Sequence, residues 1–322
     1  SSAIDYINTW GVGGAVVFGI TPGYTETAPP GGYDITATGT LTNTITFQRN
    51  GAGANPVITA GLQVAGSNKD AVIKVTGGDY ITFRNLSLQE NPGNTVLASG
   101  PTNTMTEWGI ALQYASNTNG PANNTIENNI ISLNRLYPNS FGIYSNMRHS
   151  PANPAVLADI ANVSSGLNKV YANAISNVNT PVLFLGAPAN LSPANDIGGT
   201  SALTGNILTN WGSNTAPGGN AIFAGTAASI TGISAMNQSG LNIGWNNISN
   251  TVGINPGAAG LKGIYIDFTG AVSGTFTNSV NNNTVALNSS AVTGILEAIS
   301  SGNTAASGAV AGITIDMSNN SV

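Results

Sequence analysis

An all-β chain, wound as a right-handed, single-stranded parallel β-helix of about eight coils, is predicted by three features of the sequence. First, one phrase recurs: an apolar residue, Asn three positions on, then a β-branched or aliphatic residue. It reads Ile126-Glu-Asn-Asn129, Val170-Tyr-Ala-Asn173, Leu203-Thr-Gly-Asn206, Ile243-Gly-Trp-Asn246 and Val280-Asn-Asn-Asn283, and Met317-Ser-Asn-Asn320 begins a sixth copy. Asn129, Asn173, Asn206, Asn246, Asn283 and Asn320 are separated by 44, 33, 40, 37 and 37 residues. Self-similarity at a period of roughly 20–50 residues marks a stack of repeats. Second, a small residue followed by a short alternating strand stands between the phrases. It appears as Gly109-Ile-Ala-Leu112, Gly142-Ile-Tyr-Ser145, Ala221-Ile-Phe-Ala224, Gly263-Ile-Tyr-Ile266, Gly294-Ile-Leu-Glu297 and Gly312-Ile-Thr-Ile315, with Pro181-Val-Leu-Phe184 filling the equivalent place. Third, these strands are never separated by helical segments of roughly 10–15 residues, as βαβ units would require.

In chain order, Ser2 reads as an N-cap, Ile4 and Ile7 lie three apart, and Gly11 stops a short helix. Residues 1–12 are therefore expected to form an N-terminal cap over a sheet end that would otherwise expose unpaired backbone. The coils are expected over 33–322. Tyr33-Asp-Ile35, Thr44-Ile-Thr-Phe47 and Pro56-Val-Ile-Thr59 read as one coil, and Val72-Ile-Lys-Val75 with Tyr80 to Leu88 opens the next. Further on, each coil is a Gly-Ile strand, a variable loop and two very short strands around the Asn phrase. Inward Ile126, Val170, Ile243 and Val280 stack at the strand spacing of about 4.8 Å. The repeated Asn reads as an internal ladder, its amide donating to the Asn of the next coil, and Asn also tolerates the left-handed bend between strands. Contacts from these Asn to a ligand are the alternative reading. The chain stops at Val322 inside a copy of the phrase, so it is expected to be a fragment of a longer polypeptide or to be covered there by a second chain.

Composition narrows the function classes. Of the 322 residues 7% are charged, against about 25% in typical domains, while hydrophobic residues reach 41% and Gly contributes 41 positions. The chain has material for a core and a neutral polar surface, in a single domain spanning 1–322. A net charge of −5 with eight Lys and Arg argues against nucleic-acid binding, which needs a basic footprint. No apolar run approaches the roughly 18 residues that span a bilayer; Ala15 to Ile20 is strand-sized. The absence of Cys removes disulfides, thiolate metal sites and thiol nucleophiles. Low charge with abundant Asn, Thr and Gly points to an exported, extracellular protein.

The run Ala3-Ile-Asp-Tyr-Ile-Asn-Thr-Trp-Gly-Val-Gly-Gly, then Pro22-Gly-Tyr-Thr-Glu-Thr, Asn55-Pro-Val-Ile-Thr and Gly77-Gly-Asp-Tyr-Ile-Thr-Phe-Arg-Asn resembles the opening of pectate-lyase-like parallel β-helix modules. These belong to large secreted and surface proteins of Bacteroidota exported by the type IX system. The resemblance covers essentially the whole chain. It implies cell-surface display, adhesion or filament roles, and in some members carbohydrate binding.

Enzymes of this fold class work with clustered carboxylates, as acid and base or holding Ca²⁺, together with Arg, Lys or His. Here 13 Asp and Glu, eight Lys and Arg and one His are spread over about eight coils. The Asn-Thr-Asp, Asp-Asp and Gly-His-Gly signatures of polygalacturonases and the Arg-x-Pro-x-x-Arg motif of pectate lyases are absent. No catalytic constellation is recognisable. Two places come nearest. Arg135, Arg148 and His149 surround one loop, with Glu107 and Glu127 an element earlier, although Arg84 and Glu127 are expected one coil apart as a surface ion pair. Asp267, Glu297 and Asp316 each follow or end a Gly-Ile strand, so strand register would set three carboxylates on neighbouring coils as a candidate Ca²⁺ site. No other cofactor is indicated. Trp10, Trp108, Trp211 and Trp245 are read as packed at corners or under loops, with a sugar platform as the alternative. The Asn-x-Ser/Thr sequons at Asn85, Asn247 and Asn288 arise from composition. The reading is a structural or adhesive module, self-associating end to end or continued by its own polypeptide; a polysaccharide-binding module or a polysaccharide lyase or hydrolase is the alternative.

Overall fold

The computed structural model describes residues 2–65, 67, 69–98, 102–150, 153–157, 164–214, 229–250, 253–254, 260–269, 272–290, 294–302 and 311–322. Three long parallel sheets wind around a common axis as a parallel β-helix, in agreement with the sequence. The first has nine strands: Val16–Ile20, Ile45–Arg49, Ile81–Arg84, Thr125–Glu127, Lys169–Tyr171, Asp196–Ile197, Asn242–Gly244, Ser273–Asn281 and Ala311–Asp316. The second has eight: Thr25–Thr27, Val57–Thr59, Ser87–Gln89, Ile130–Ser132, Ala174–Ser176, Ile207–Thr209, Asn247–Ser249 and Thr284–Ala286. The third also has eight: Tyr33–Ile35, Ala71–Thr76, Trp108–Gln113, Phe141–Asn146, Thr180–Leu185, Ile230–Met236, Leu261–Asp267 and Leu296–Ser301. The chain visits the sheets in that order eight times and enters the first once more. The helix α1 (Ser2–Trp10) buries Ile7 and packs Ile4 against the core at the N-terminal end. The coils begin at Val16 rather than at Tyr33; Tyr33–Ile35 closes the first coil instead of opening it.

Each sheet contributes an inward column set by register. In the first it runs Phe18, Phe47, Phe83, Ile126, Val170, Ile197, Ile243, Val280. In the second, Ile58, Leu88, Ile131, Ile175, Leu208, Ile248 and Val285 follow one another. In the third, Ile73, Ile110, Ile143, Val182, Ile233, Ile264 and Ile299 do the same. These side chains form one continuous core. Leu203, the apolar residue of the third Asn phrase, is not in it: at 89% exposure it lies on a surface turn, and Ile197 fills the column because eight residues separate it from Asn206.

The walls explain the Gly-Ile signature. A Cβ on Gly109, Gly142, Gly232 or Gly263 would come within 2.3–2.7 Å of a methyl of Ile131, Ile175, Ile248 or Val285 on the second sheet. At these four strands the third sheet passes too close to that column for a side chain. The strand at residues 230–236 supplies this signature as Gly232-Ile233; the candidate Ala221-Ile-Phe-Ala224 lies outside the described residues. The copy at Gly294 is four residues out of register, since Ala298-Ile299 pairs with Gly263-Ile264. Gly312-Ile313 lies in the first sheet, not the third.

Between the first and second sheets the chain turns a corner at the Asn phrase. The left-handed residue there is the one before the recurrent Asn: Asn128, Ala172, Trp245, Asn282 and Asn319 have φ of 56°, 51°, 61°, 60° and 54°. The Asn itself is free to reach along the stack. The Nδ2 groups of Asn129, Asn173, Asn206, Asn246 and Asn283 donate to the Oδ1 of the next member at 3.1, 3.0, 2.8, 2.9 and 3.0 Å, ending on Asn320. Each Oδ1 also accepts the backbone N–H of the preceding member, and each Nδ2 reaches a carbonyl one coil back, such as Ile126 for Asn173 and Val170 for Asn206. A second column runs at the corner leading into the first sheet. There the N–H of Asn124 donates to Asn168, Asn168 to Asn195, and Asn195 Nδ2 to Gln238 Oε1, at 3.0, 2.9 and 2.9 Å.

Replacing a mid-column Asn should therefore unpair groups on three coils at once. Asn173→Ala is expected to lower stability by about 2–4 kcal/mol, read from the urea midpoint. Thr118→Ala on an exposed turn should stay within about 0.5 kcal/mol of the parent.

Candidate functional site

The outer face of the third sheet was the natural place for chemistry, and it is covered. Every residue of Trp108–Gln113, Phe141–Asn146 and Thr180–Leu185 is buried, inward and outward positions alike. Outward Trp108, Ala111, Phe141, Tyr144, Leu183, Leu185 and Met236 form a second apolar cluster separate from the core. Trp108 stacks on Tyr144 with centroids 4.9 Å apart, and Tyr144 on His149 at 5.7 Å. The Tyr144 hydroxyl lies 2.8 Å from His149 Nε2 and accepts from Asn146 Nδ2 at 2.9 Å. His149 is thus a packed, hydrogen-bonded side chain at 1% exposure, not a loop residue facing water. Burial pushes the Tyr144 hydroxyl's pKa well above the ordinary tyrosine value.

Glu107 is also sealed. Its Oε1 accepts from the Tyr137 hydroxyl at 2.6 Å and Asn103 Nδ2 at 2.8 Å, and its Oε2 from the Asp70 backbone N–H at 2.9 Å. Burial raises its pKa well above the usual value, although these donors oppose the shift. Asp70, just below it, is raised chiefly by burial as well, while the Ser67 hydroxyl donates to its Oδ1 at 2.8 Å. The structure does not gather Arg135, Glu107 and Glu127. Arg135 donates to the Gly212 carbonyl at 2.9 Å, and Glu127 pairs with Arg84 at 2.7 Å on the first sheet. Arg148 Nη1 donates to Thr269 Oγ1 at 3.1 Å.

The candidate Ca²⁺ triad is likewise dispersed. Asp267, at 1% exposure, accepts from the Tyr265 hydroxyl and the Phe268 N–H, both at 2.7 Å. Glu297 pairs with Lys262 at 3.0 Å, and Lys262 lies 4.0 Å from the Tyr265 ring centroid. The Ser300 hydroxyl, and after it Lys262, hold the Glu297 carboxyl below its usual value. Asp316 sits on the first sheet opposite Ser279. The two register errors described above, at Gly294 and Gly312, account for the difference. Among the described residues no three His, Cys, Asp or Glu side chains are grouped so as to hold a metal ion. Of the tryptophans, Trp108 and Trp211 are fully buried, Trp245 is at a corner with 38% exposure, and Trp10 on α1 is 75% exposed.

A feature that sequence reasoning missed lies at the N-terminal end. Beneath α1 the first coil borders a partly open cavity of about 500 Å³, lined by Ile4, Phe18, Ile20, Glu26, Tyr33 and Phe47 among others. Glu26 occupies the inward position that Ile58 and the six strands after it fill with aliphatic side chains. Tyr33 does the same in the third sheet, opposite Ile73. Burial, followed by the charge and hydrogen bonding of Glu26, pushes the Tyr33 hydroxyl up to about 12. The signal was present in the strand Tyr24-Thr-Glu-Thr, whose alternation puts Glu26 inward once the strand is placed in a coil.

No protein-family model matches the chain, and no curated protein matches it. Among solved structures, the A-module of the mannuronan C-5 epimerase AlgE6 from Azotobacter vinelandii is similar over 100% of this chain and 94% of that module, with 14% identity and a TM-score of 0.36. A likeness of that size says nothing of activity, and the parallel β-helix rests on the three sheets themselves. Among the described residues no helix is long and apolar enough to cross a membrane.

Glu107 gives the chain a pH dependence of defined sign. Its folded carboxyl binds a proton more tightly than the unfolded one, so its contribution to stability is fully present below its ordinary value of 4.5 and is lost as pH rises toward the raised folded value. The urea midpoint should fall over that range. Glu107→Gln should flatten the decline, leaving a residual slope from Asp70 and Asp79, which are displaced in the same direction.

Proposed function

We propose that this chain is a structural and adhesive module of an extracellular bacterial surface protein, a rod able to associate end to end. The setting is supported by its N-terminal motifs, which resemble those of Bacteroidota proteins exported by the type IX system. One observation carries the reading: Glu107 and Asp267 are buried and hydrogen-bonded, Glu127 and Glu297 are held in ion pairs, and Asp316 lies apart from them on the first sheet. Glu107 is held by Tyr137, Asn103 and the Asp70 backbone, Asp267 by Tyr265 and Phe268, and Glu127 and Glu297 by Arg84 and Lys262. A polysaccharide hydrolase of the usual kind needs two carboxyls roughly 5–9.5 Å apart beside an open groove, whereas Asp70 and Glu107 are buried at 4% and 0% exposure.

End-to-end association is supported by the architecture: the described strands of all three sheets are paired in parallel along one axis. A parallel edge is a template for another strand, and a head-to-tail contact of this kind repeats into an open filament. Polysaccharide binding is the second reading, favoured by Tyr6 and Trp10, which are 65% and 75% exposed one helical turn apart on α1 and so stand on one side of it.

Sedimentation and electron microscopy over a range of protein concentrations test the proposal. Association into rods that lengthen in steps of about 40 Å, the rise of eight coils at the strand spacing, is expected. A monomer at every concentration contradicts end-to-end assembly. Hits on a glycan array that vanish in Trp10→Ala would shift the balance to the second reading.

A further inference from the structure

We propose that the cavity under α1 is a binding site for a small ligand carrying an aromatic ring and a protonated amine, an arylalkylammonium. The site goes beyond the rod's structural role, and three observations converge on it.

The first is a carboxylate where the fold calls for an aliphatic side chain. Seven successive strands of the second sheet place Ile, Leu or Val at the position that Glu26 takes in the first coil. Departures from a local rule of this kind concentrate at functional sites. Among the described residues no Lys or Arg lines the cavity, and the partly buried Glu26 carboxylate is open to a donor or a counter-charge. The Tyr24 hydroxyl donates to Glu26 Oε2 at 3.4 Å, a long distance for an O–H···O bond. An ionised carboxylate accepts at about four lone-pair sites, so capacity for an ammonium remains. The Tyr33 hydroxyl beside it interacts with Glu26 as well and forms the second polar group of the same coil.

The second is an aromatic stack with an open end. Phe18, Phe47 and Phe83 follow one another in register, with centroids 4.8 and 5.6 Å apart and interplanar angles of 16° and 12°. Among the described residues the stack ends at Phe18, which lines the cavity and is half-buried. A ligand ring placed on it continues a series at the spacing that aromatic pairs prefer, about 4.5–7 Å.

The third is size and lining. About 500 Å³ falls in the range of roughly 300–1,000 Å³ typical of small-molecule sites, which are mostly apolar with a few placed polar groups. Here Ile4, Ile20, Ile35 and Ile58 supply the apolar wall, and Glu26 with Tyr33 the polar end. Negative charge selects the cation, and the Phe18 face selects the ring.

Calorimetric titration of the whole chain with 2-phenylethylammonium, and with 3-phenylpropionate as its reversed-charge counterpart, tests this. A single saturable site is expected for the ammonium, with the carboxylate at least about tenfold weaker, since every 1.4 kcal/mol is a factor of ten. Glu26→Gln should weaken the ammonium by a similar factor with unchanged circular dichroism. Glu26→Ile, which completes the aliphatic column, should abolish binding while raising the Tm. No saturable binding to the parent chain, equal binding of the two charge types, or undiminished binding by folded Glu26→Gln overturns the proposal. The two-ligand comparison on the parent protein decides the matter without any variant.

Discussion

A buried amide that bonds to the coil on either side of its own holds this solenoid in register. Strand pairing satisfies the backbone along each sheet, but at every corner the chain leaves the ladder and its polar groups turn toward the core. An unsatisfied buried group costs about 1–3 kcal/mol, and a stack of coils multiplies that cost. The recurrent Asn resolves it with one side chain. In Asn173, Oδ1 takes the N–H and the Nδ2 of Asn129, while Nδ2 donates to Asn206 and to the Ile126 carbonyl. A slip of one residue would break these bonds and turn every inward side chain outward, so the column fixes register as well as stability.

The rest of the architecture follows from that registration. Because each coil repeats the height of the last, the third sheet can run close to the second only where Gly109, Gly142, Gly232 and Gly263 remove their side chains. Variation is pushed into the loops, and these fold over the third sheet to bury a second layer of Trp108, Tyr144 and His149. Glu107 is buried beside that layer, held by Tyr137, Asn103 and the Asp70 backbone. The first coil is the exception, with Glu26 and Tyr33 at inward positions and a cavity beside them.

Fold class and the Asn column were legible because both are periodic, and their period survives loops of any length. The second column, which Asn278 continues by donating to the Gln238 carbonyl at 3.1 Å, could have been read too: Asn124, Asn168 and Asn278 each stand five residues before Asn129, Asn173 and Asn283. Its third member, Asn195, stands eleven before Asn206 because of the surface turn that carries Leu203. The same insertion hid Ile197. The candidate Ca²⁺ triad depended on local likeness at Gly294 and Gly312, where a dipeptide match carries no register information and the neighbouring strand decides. Which carboxylates become buried was illegible for a different reason. Glu107 is enclosed by Asp70, Asn103 and Tyr137, drawn from three loops with no periodic relation to it.

Amide hydrogen exchange on the native chain tests the central role of the Asn column most directly. The N–H groups of Leu86, Asn129, Asn173, Asn206 and Asn246, which donate to an Asn Oδ1 of the next coil, should be among the slowest to exchange and should open together. If they exchange as fast as those of the exposed turn at residues 116–119 while strand amides stay protected, the column is a decoration of the corners and the coils are held by strand pairing alone.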